Sequence, residues 1–174
     1  LADQVFLFKR TMRDAAHRHG IYATFMAKPM SDEPGSAMHI HQSLEDAEGR
    51  NLFGTSEGGN SALFMHFIAG LQKYTPAVTA LLAPNVNSYR RLTFGESAPR
   101  NVQWGVENRT CGLRVPFSEP SARRVENRFA GADANPYLAL AATLACGYLG
   151  MLEKLEPMQE MKASAYDLPY SLPR

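Results

Sequence analysis

Apolar residues recur every three or four positions over residues 1–19. Val5, Phe8, Met12 and Ala15 or Ala16 line one side, and Lys9, Arg10, Arg13 and Arg18 stand elsewhere. That period predicts an amphipathic helix with Gly20 as its C-cap. The period then shortens. Ile21 to Ala27 carries β-branched and aromatic residues into Lys28-Pro29 and predicts a strand, and Ser31-Asp32-Glu33-Pro34-Gly35 reads as a turn. From Ala37 to Leu44 positions alternate strictly, with Met38, Ile40 and Leu44 on one side and His39, His41 and Ser43 on the other. Glu48-Gly49-Arg50-Asn51 is the next turn.

Ser61 to Tyr74 is helical in pattern, and Pro76 opens a second short helix through Leu82. Residues 84–99 are rich in Asn, Pro and Gly and read as a loop, yet they hold Arg90, Arg91 and Glu96. Three short alternating runs follow, Val102–Val106, Cys111–Val115 and Arg124–Phe129, each predicting a strand. Asn135 as N-cap with Pro136 at the first helical position opens a long helix to about Lys154. The tail from Pro157 has little periodicity. With no internal repeat or linker, the pattern predicts part of one α+β domain, a curved antiparallel sheet with helices on its apolar face.

Composition narrows the class. A chain of 174 residues that is 45% hydrophobic and 20% charged has enough apolar surface for one core, which excludes a disordered chain. The net charge of +1 excludes a global field that recruits nucleic acid or an anionic membrane. Local charge is another matter, because eight of the 13 arginines lie between Arg90 and Arg128, a stretch with no Lys or Asp and four Glu. A nucleic-acid binder using that stretch would show Lys and exposed aromatics along it, and neither appears. Tyr137 to Leu152, the longest apolar stretch, contains Thr143, Gly147 and Gly150 and falls short of the roughly 20 residues of a spanning helix. Cys111 and Cys146 lack metal spacing and read as small core residues of a reduced, cytoplasmic protein. Trp104 reads as packing. The chain opens on Leu1 and stops at Arg174 after Leu-Pro, which reads as a fragment.

The polar faces of the strands carry the chemistry. His39, His41 and Ser43 share one face, Arg124, Glu126 and Arg128 another, and Arg114 stands between Leu113 and Val115. An ordinary solvated strand shows Lys, Thr, Gln and Ser. Imidazole, carboxylate and guanidinium are instead groups for metals and anions. An H-x-H pair taken alone is more often a hydrogen-bonded or surface pair, and arginines commonly cap helices. Several guanidiniums around one carboxylate, however, repel one another unless an anion sits among them, and their forks match phosphate and carboxylate oxygens. His39 with Glu126 suits a hard divalent cation such as Mg²⁺ or Mn²⁺, with phosphate oxygens completing its shell. The sequence has no GxxxxGK[ST] loop and no GxGxxG after a strand, so a nucleotide site here is of another type. The absence of H-E-x-x-H and G-x-S-x-G lowers protease and esterase readings.

Five ordered blocks carry a resemblance: Gly35-Ser36-Ala37-Met38-His39-Ile40-His41-Gln42-Ser43-Leu44, Asn87–Leu92, Asn108-Arg109 through Arg114-Val115-Pro116, Arg123–Phe129 and Asn135-Pro136-Tyr137. Thr24–Pro29 fits as well. In order and spacing they resemble the C-terminal part of the catalytic domain of the glutamine synthetase superfamily, type I-like. The resemblance implies ATP-dependent amide formation, in which the side-chain carboxylate of glutamate is phosphorylated and an amine displaces phosphate from γ-glutamyl phosphate. Carried over by position, His39 and Glu126 fall on metal ligands, and His41, Ser43 and Arg124 on nucleotide contacts. Gly35, Arg91 and Arg128 fall on glutamate contacts. Arg109 and Arg114 fall on the clamp of the transferred phosphate, Arg114 touching the nucleotide and Arg109 the substrate as well. Arg109, Arg114 and Arg128 are thus the residues expected to serve catalysis. ATP and Mg²⁺ or Mn²⁺ are the implied cofactors, and the implied assembly is a homo-oligomer, commonly a dodecamer.

Two departures from the family pattern matter. Ammonia-using members carry Gly-x-Glu-x-Pro after the second block, and Gly95-Glu96-Ser97-Ala98-Pro99 places Ser97 where that carboxylate helps bind ammonium. A neutral Ser leaves room for a larger amine, so the chain is most similar to the γ-glutamylpolyamine or γ-glutamylalkylamide ligase branch. The alternatives are a glutamine synthetase using ammonia and a non-catalytic scaffold of the same fold. Secondly, the family's other metal-binding glutamates and its small N-terminal domain precede the matched segment, so residues 1–174 alone are expected to be inactive. Tyr166-Asp167-Leu168-Pro169 resembles the loop whose tyrosine is adenylylated in some bacterial members.

Overall fold

The computed structural model describes residues 1–93 and 98–166. The first helix, α1 (Ala2–Arg18), ends as its sequence predicts: the N–H of Ile21 reaches the carbonyl of Ala16 and that of Gly20 reaches His17, with Gly20 at φ +69. Its apolar side covers little. No α1 residue is buried, and Phe6, Leu7, Phe8 and Met12 stay exposed. Lys9 tethers it through a hydrogen bond to the carbonyl of Ala134, and Tyr137 through one to Asp3.

Ile21–Ala27 does not join a sheet. The Met26 N–H turns to the Thr24 hydroxyl, and both backbone groups of Lys28 are taken by the Asn87 side chain at 2.8 Å. The expected second strand shortens to β1 (Ile40–Gln42). α2 (Ala62–Leu82) starts on Ser61, whose hydroxyl accepts the Phe64 N–H. It runs unbroken through Pro76, where two helices were expected. The missing donor at Pro76 costs about 3 kcal/mol, but Phe64, Phe67, Ile68, Leu71 and Leu82 on both sides of it lie in one core, and their burial outweighs the break.

Residues 84–99 are not all loop. Val86–Thr93 form α3, held at its start by Ser88, whose hydroxyl accepts the Asn85 N–H at 3.0 Å and donates to Asp133 at 2.6 Å. The three later strands appear as β2 (Trp104–Val106), β3 (Leu113–Val115) and β4 (Val125–Asn127), and Asn135 caps α4 (Pro136–Leu152) through the N–H groups of Tyr137 and Leu138. Sheet order is β1-β4-β3-β2. The expectation of a purely antiparallel sheet needs one correction: β2 and β3 run parallel, linked by only residues 107–112. That link is tight because Glu107 takes a left-handed backbone, φ +52. The Asn108 side chain binds the carbonyls of Met161 and Ala163 and the N–H of Thr110, pinning the link to the C-terminal segment.

One face of the sheet is core. Ile40, Leu113, Val115 and Val125 join Phe53, Phe64, Phe67, Ile68 and Leu71 there. α4 crosses α2 closely enough that a Cβ on Gly70 would lie 2.2 Å from the Cys146 carbonyl and one on Gly150 2.3 Å from that of His66. Both cysteines are buried and free, and Trp104 packs in the core with its indole N–H on the Met158 carbonyl at 2.7 Å. No helix among the described residues is long and apolar enough to cross a membrane.

Candidate functional site

β4 is the centre of the opposite face. Its register sets Glu126 across from His41 on β1 and across from Arg114 on β3, so three strands contribute one row of side chains. Alternation puts Arg124 and Arg128 on the same side, while Val125 and Asn127, both at 0% exposure, point into the core.

Glu126, 3% exposed, accepts from three side chains, two of them guanidiniums. Its Oε1 accepts from His39 Nδ1 at 2.8 Å and from an Arg128 terminal nitrogen at 3.1 Å, and its Oε2 accepts from Arg114 at 2.7 Å. Burial alone pushes this carboxyl up. The hydrogen bonds from His39 and Arg114 and the charge of Arg128 outweigh that and hold it well below the usual carboxylate range. Glu126 is therefore ionised throughout the physiological range.

Arg114 is gripped twice, by Glu126 and, through its other terminal nitrogen, by Glu107 Oε2 at 2.7 Å. Arg91 comes from α3, 4% exposed, with one terminal nitrogen on the Phe129 and Arg128 carbonyls. Burial lowers its pKa to about 10, with Asp133 opposing and Arg128 adding to the shift, so it remains cationic at neutral pH. Its aliphatic stem lies on Gly35, where any Cβ would sit 2.6 Å from Arg91 Cγ and 2.6 Å from the Ala27 carbonyl. Three guanidiniums, Arg91, Arg114 and Arg128, each keep a buried Nε–H without a partner. Leaving such a donor unpaired costs about 1–3 kcal/mol, and anionic oxygens are the acceptors that match it.

His41 is exposed and receives the Arg124 Nε–H on its Nδ1 at 3.3 Å. Burial lowers its pKa, Glu126 opposes this, and Arg124, His39 and Arg114 lower it further, so the ring is neutral near pH 7. Not every expected residue joins the cluster. Ser43 and Arg109 are exposed and make no hydrogen bond or ion pair among the described residues. Ser97 and Glu96 lie outside the described residues, as does the chain beyond Tyr166. Sequence reasoning missed Glu107, whose positive φ leaves no mark in the pattern, and Asp133, which anchors α3 through Ser88 and Asn85.

His39 and Glu126 fit a divalent cation. Two cis ligands at about 2.1 Å from an octahedral ion are about 3 Å apart, close to the 2.8 Å between His39 Nδ1 and Glu126 Oε1. Among the described residues no three His, Cys, Asp or Glu side chains converge on such a position.

The family model for the glutamine synthetase catalytic domain matches residues 1–172. The chain belongs to the glutamine synthetase family. It is 46% identical over 158 residues to gamma-glutamylputrescine synthetase PuuA of Escherichia coli, covering 91% of this chain and 33% of that protein. Glutamine synthetase of Methylococcus capsulatus is 42% identical, covering 97% of this chain and 36% of the relative. Glutamate–isopropylamine ligase of a Pseudomonas species is 40% identical, covering 99% of this chain and 38% of the relative. The solved GmaS/ADP complex superposes with a TM-score of 0.85 at 37% identity, over 95% of this chain and 39% of that one. The chain spans about a third of the length of the curated relatives it matches. As glutamate–amine ligases of one family, these relatives share ligase chemistry and differ in the amine.

Proposed function

We propose that this chain is part of an ATP-dependent ligase that joins an amine larger than ammonia to the γ-carboxylate of glutamate through γ-glutamyl phosphate. The observation that carries this reading is the set of buried, unpartnered guanidinium N–H groups of Arg114 and Arg128 beside the ionised Glu126 and of Arg91 next to Arg128. Such a set matches a substrate with several anionic groups, and ATP with glutamate supplies them.

In this reading His39 and Glu126 hold Mg²⁺ or Mn²⁺, which when bound neutralises charge on the transferred phosphoryl group. Arg91 and Arg128, with the backbone at Gly35, receive glutamate. Arg114 and Arg109 clamp the phosphate, Arg109 also reaching the substrate, while Arg124, His41, Ser43 and again Arg114 contact the nucleotide. Phosphoryl transfer needs alignment and charge neutralisation more than covalent help, and fixed guanidiniums supply both. The larger amine rests on Ser97 standing in place of the ammonium-binding carboxylate and on the similarity to relatives named for putrescine and isopropylamine. The full-length protein works in the cytoplasm as a homo-oligomer, a dodecamer as the family resemblance implies, and residues 1–174 alone do not turn over.

Amine competition in the full-length enzyme is the test. With ATP, glutamate and equal ammonia, methylamine, isopropylamine and putrescine, an organic amine is expected to dominate the γ-glutamyl products. Ammonia outcompeting all three would replace this reading with glutamine synthesis, and turnover by residues 1–174 alone would refute the claim that this segment is insufficient.

A further inference from the structure

We propose that Glu107 is a positioning residue for Arg114, an inference that rests on the phosphoryl-transfer reading above. Glu107 directly follows β2 and adopts φ +52, a backbone region where a side chain with a Cβ is strained and glycine is not. Both of its carboxylate oxygens are engaged. Oε2 accepts from Arg114 at 2.7 Å, and Oε1 accepts from the N–H of Phe117, two residues beyond β3. The strained residue thereby ties the end of β2 to the arginine of the neighbouring strand and to the chain that leaves it.

Arg114 is consequently held at both terminal nitrogens by two carboxylates, Glu126 of β4 inside the site and Glu107 of the β2–β3 link at its rim. Two fixed points set the plane of the guanidinium, and its buried Nε–H is left over for a ligand. With Glu126 as the one remaining partner, the guanidinium would pivot about that contact, and its charge would concentrate on Glu126. Glu107 thus keeps the guanidinium in one orientation and shares its charge with the carboxylate expected to bind the metal. The link after β2 does not need the Glu107 side chain for its shape, because the Glu107 N–H bonds to the Val115 carbonyl at 3.0 Å and Asn108 pins the following turn.

That separation gives the test. In the full-length enzyme, Glu107→Gly removes the carboxylate and relieves the backbone strain, so its melting temperature is expected to equal or exceed that of the wild type. Its kcat is expected to fall about 10- to 100-fold, the loss of one charge-assisted hydrogen bond in the transition state, with the KM for glutamate changed less than about threefold. Glu107→Gln, which keeps a neutral acceptor, is expected to recover part of that loss. A Glu107→Gly enzyme with wild-type kcat overturns the proposal, and so does a loss of kcat that merely tracks a loss of melting temperature. The wild type in the same assay separates the two claims: an inactive wild type sinks the ligase reading and this inference together, whereas an active wild type with an unaffected glycine variant sinks this inference alone.

Discussion

Replacing Glu126 by Gln keeps the shape of the side chain and removes the charge that His39, Arg114 and Arg128 share. The contacts to Arg114 and Arg128 then lose the attraction of opposite charges, and the contact to His39 loses its charged acceptor, which costs about 1 kcal/mol apiece. The new NH₂ group also faces a donor, whichever way the amide is turned. Burying an amide is cheaper than burying a carboxylate, so part of the loss is recovered and the net destabilisation is about 2–4 kcal/mol. With a urea m-value of about 2 kcal/mol/M for a domain of this size, the unfolding midpoint drops by about 1–2 M. Fluorescence of Trp104, the chain's one tryptophan and 5% exposed, reports the transition. The sign of the pH dependence follows from the lowered carboxyl pKa. The unfolded chain binds the proton first as pH falls, so the stabilisation from Glu126 is complete above about pH 5 and is lost as pH drops through the unfolded value near 4.3 toward the folded one. The gap between wild type and Glu126→Gln is therefore expected to be widest at neutral pH and to close in acid. A midpoint at pH 7 within about 0.3 M of the wild type would refute the role of this carboxylate as the common partner of the cluster.

Gly35→Ala places a Cβ 2.6 Å from both Arg91 Cγ and the Ala27 carbonyl; the expected outcome in the full-length enzyme is a glutamate KM raised at least about 10-fold by displacement of Arg91, with a loss of about 1–3 kcal/mol in stability. Asn108→Ala removes the bonds to Met161, Ala163 and Thr110 that hold the β2–β3 link, so limited trypsin digestion is expected to cut after Arg109 at least about 10 times faster than in the wild type. The lowered pKa of His41 makes the folded state resist its protonation. A titration followed by NMR is expected to place it below 6.5, the stability penalty appearing as pH falls through that value, and a measured pKa above 6.5 would contradict the surroundings assigned to it.

Strand faces were readable because alternation is a strong signal: His39 and His41, and Arg124, Glu126 and Arg128, stand where a period of two puts them. Which strands lie side by side was not readable. The pairing of Arg114 with Glu126 depends on β3 and β4 being neighbours in a particular register, and three-residue strands carry too little pattern to fix one. The parallel β2–β3 pair was invisible for a related reason, since parallel neighbours normally need a crossover of a dozen or more residues and this link is made short by Glu107 at positive φ. α2 running through Pro76 is a tertiary override, core burial on both sides against a local break. α3 escaped because Val86–Thr93 is brief and polar, and Asp133, which anchors it, lies 45 residues from Ser88. Glu107 had no signal of its own beyond its place before the Asn108-Arg109 block.

The charge balance of the polar face explains why a buried carboxylate, Glu126, stands among the arginines. Arg114 and Arg128 share Glu126, and Arg128 also stands next to Arg91; at close range like charges with little solvent between them repel by several kcal/mol. Without an anion the cluster needs an internal counter-ion, and Glu126 is placed to serve, taking Arg114 and Arg128 at once while His39 shares its Oε1. Two terminal nitrogens are thus satisfied, and three Nε–H groups are not. The carboxylate sets the arginine positions but leaves donors over, so the residual demand is for acceptors rather than for more orientation. A phosphate or carboxylate ligand would meet that demand, and a cation between His39 and Glu126 would take up the negative charge that the arginines then release. Glu126 is in this sense the organiser of the cluster, and its contacts fix the guanidiniums of Arg114 and Arg128.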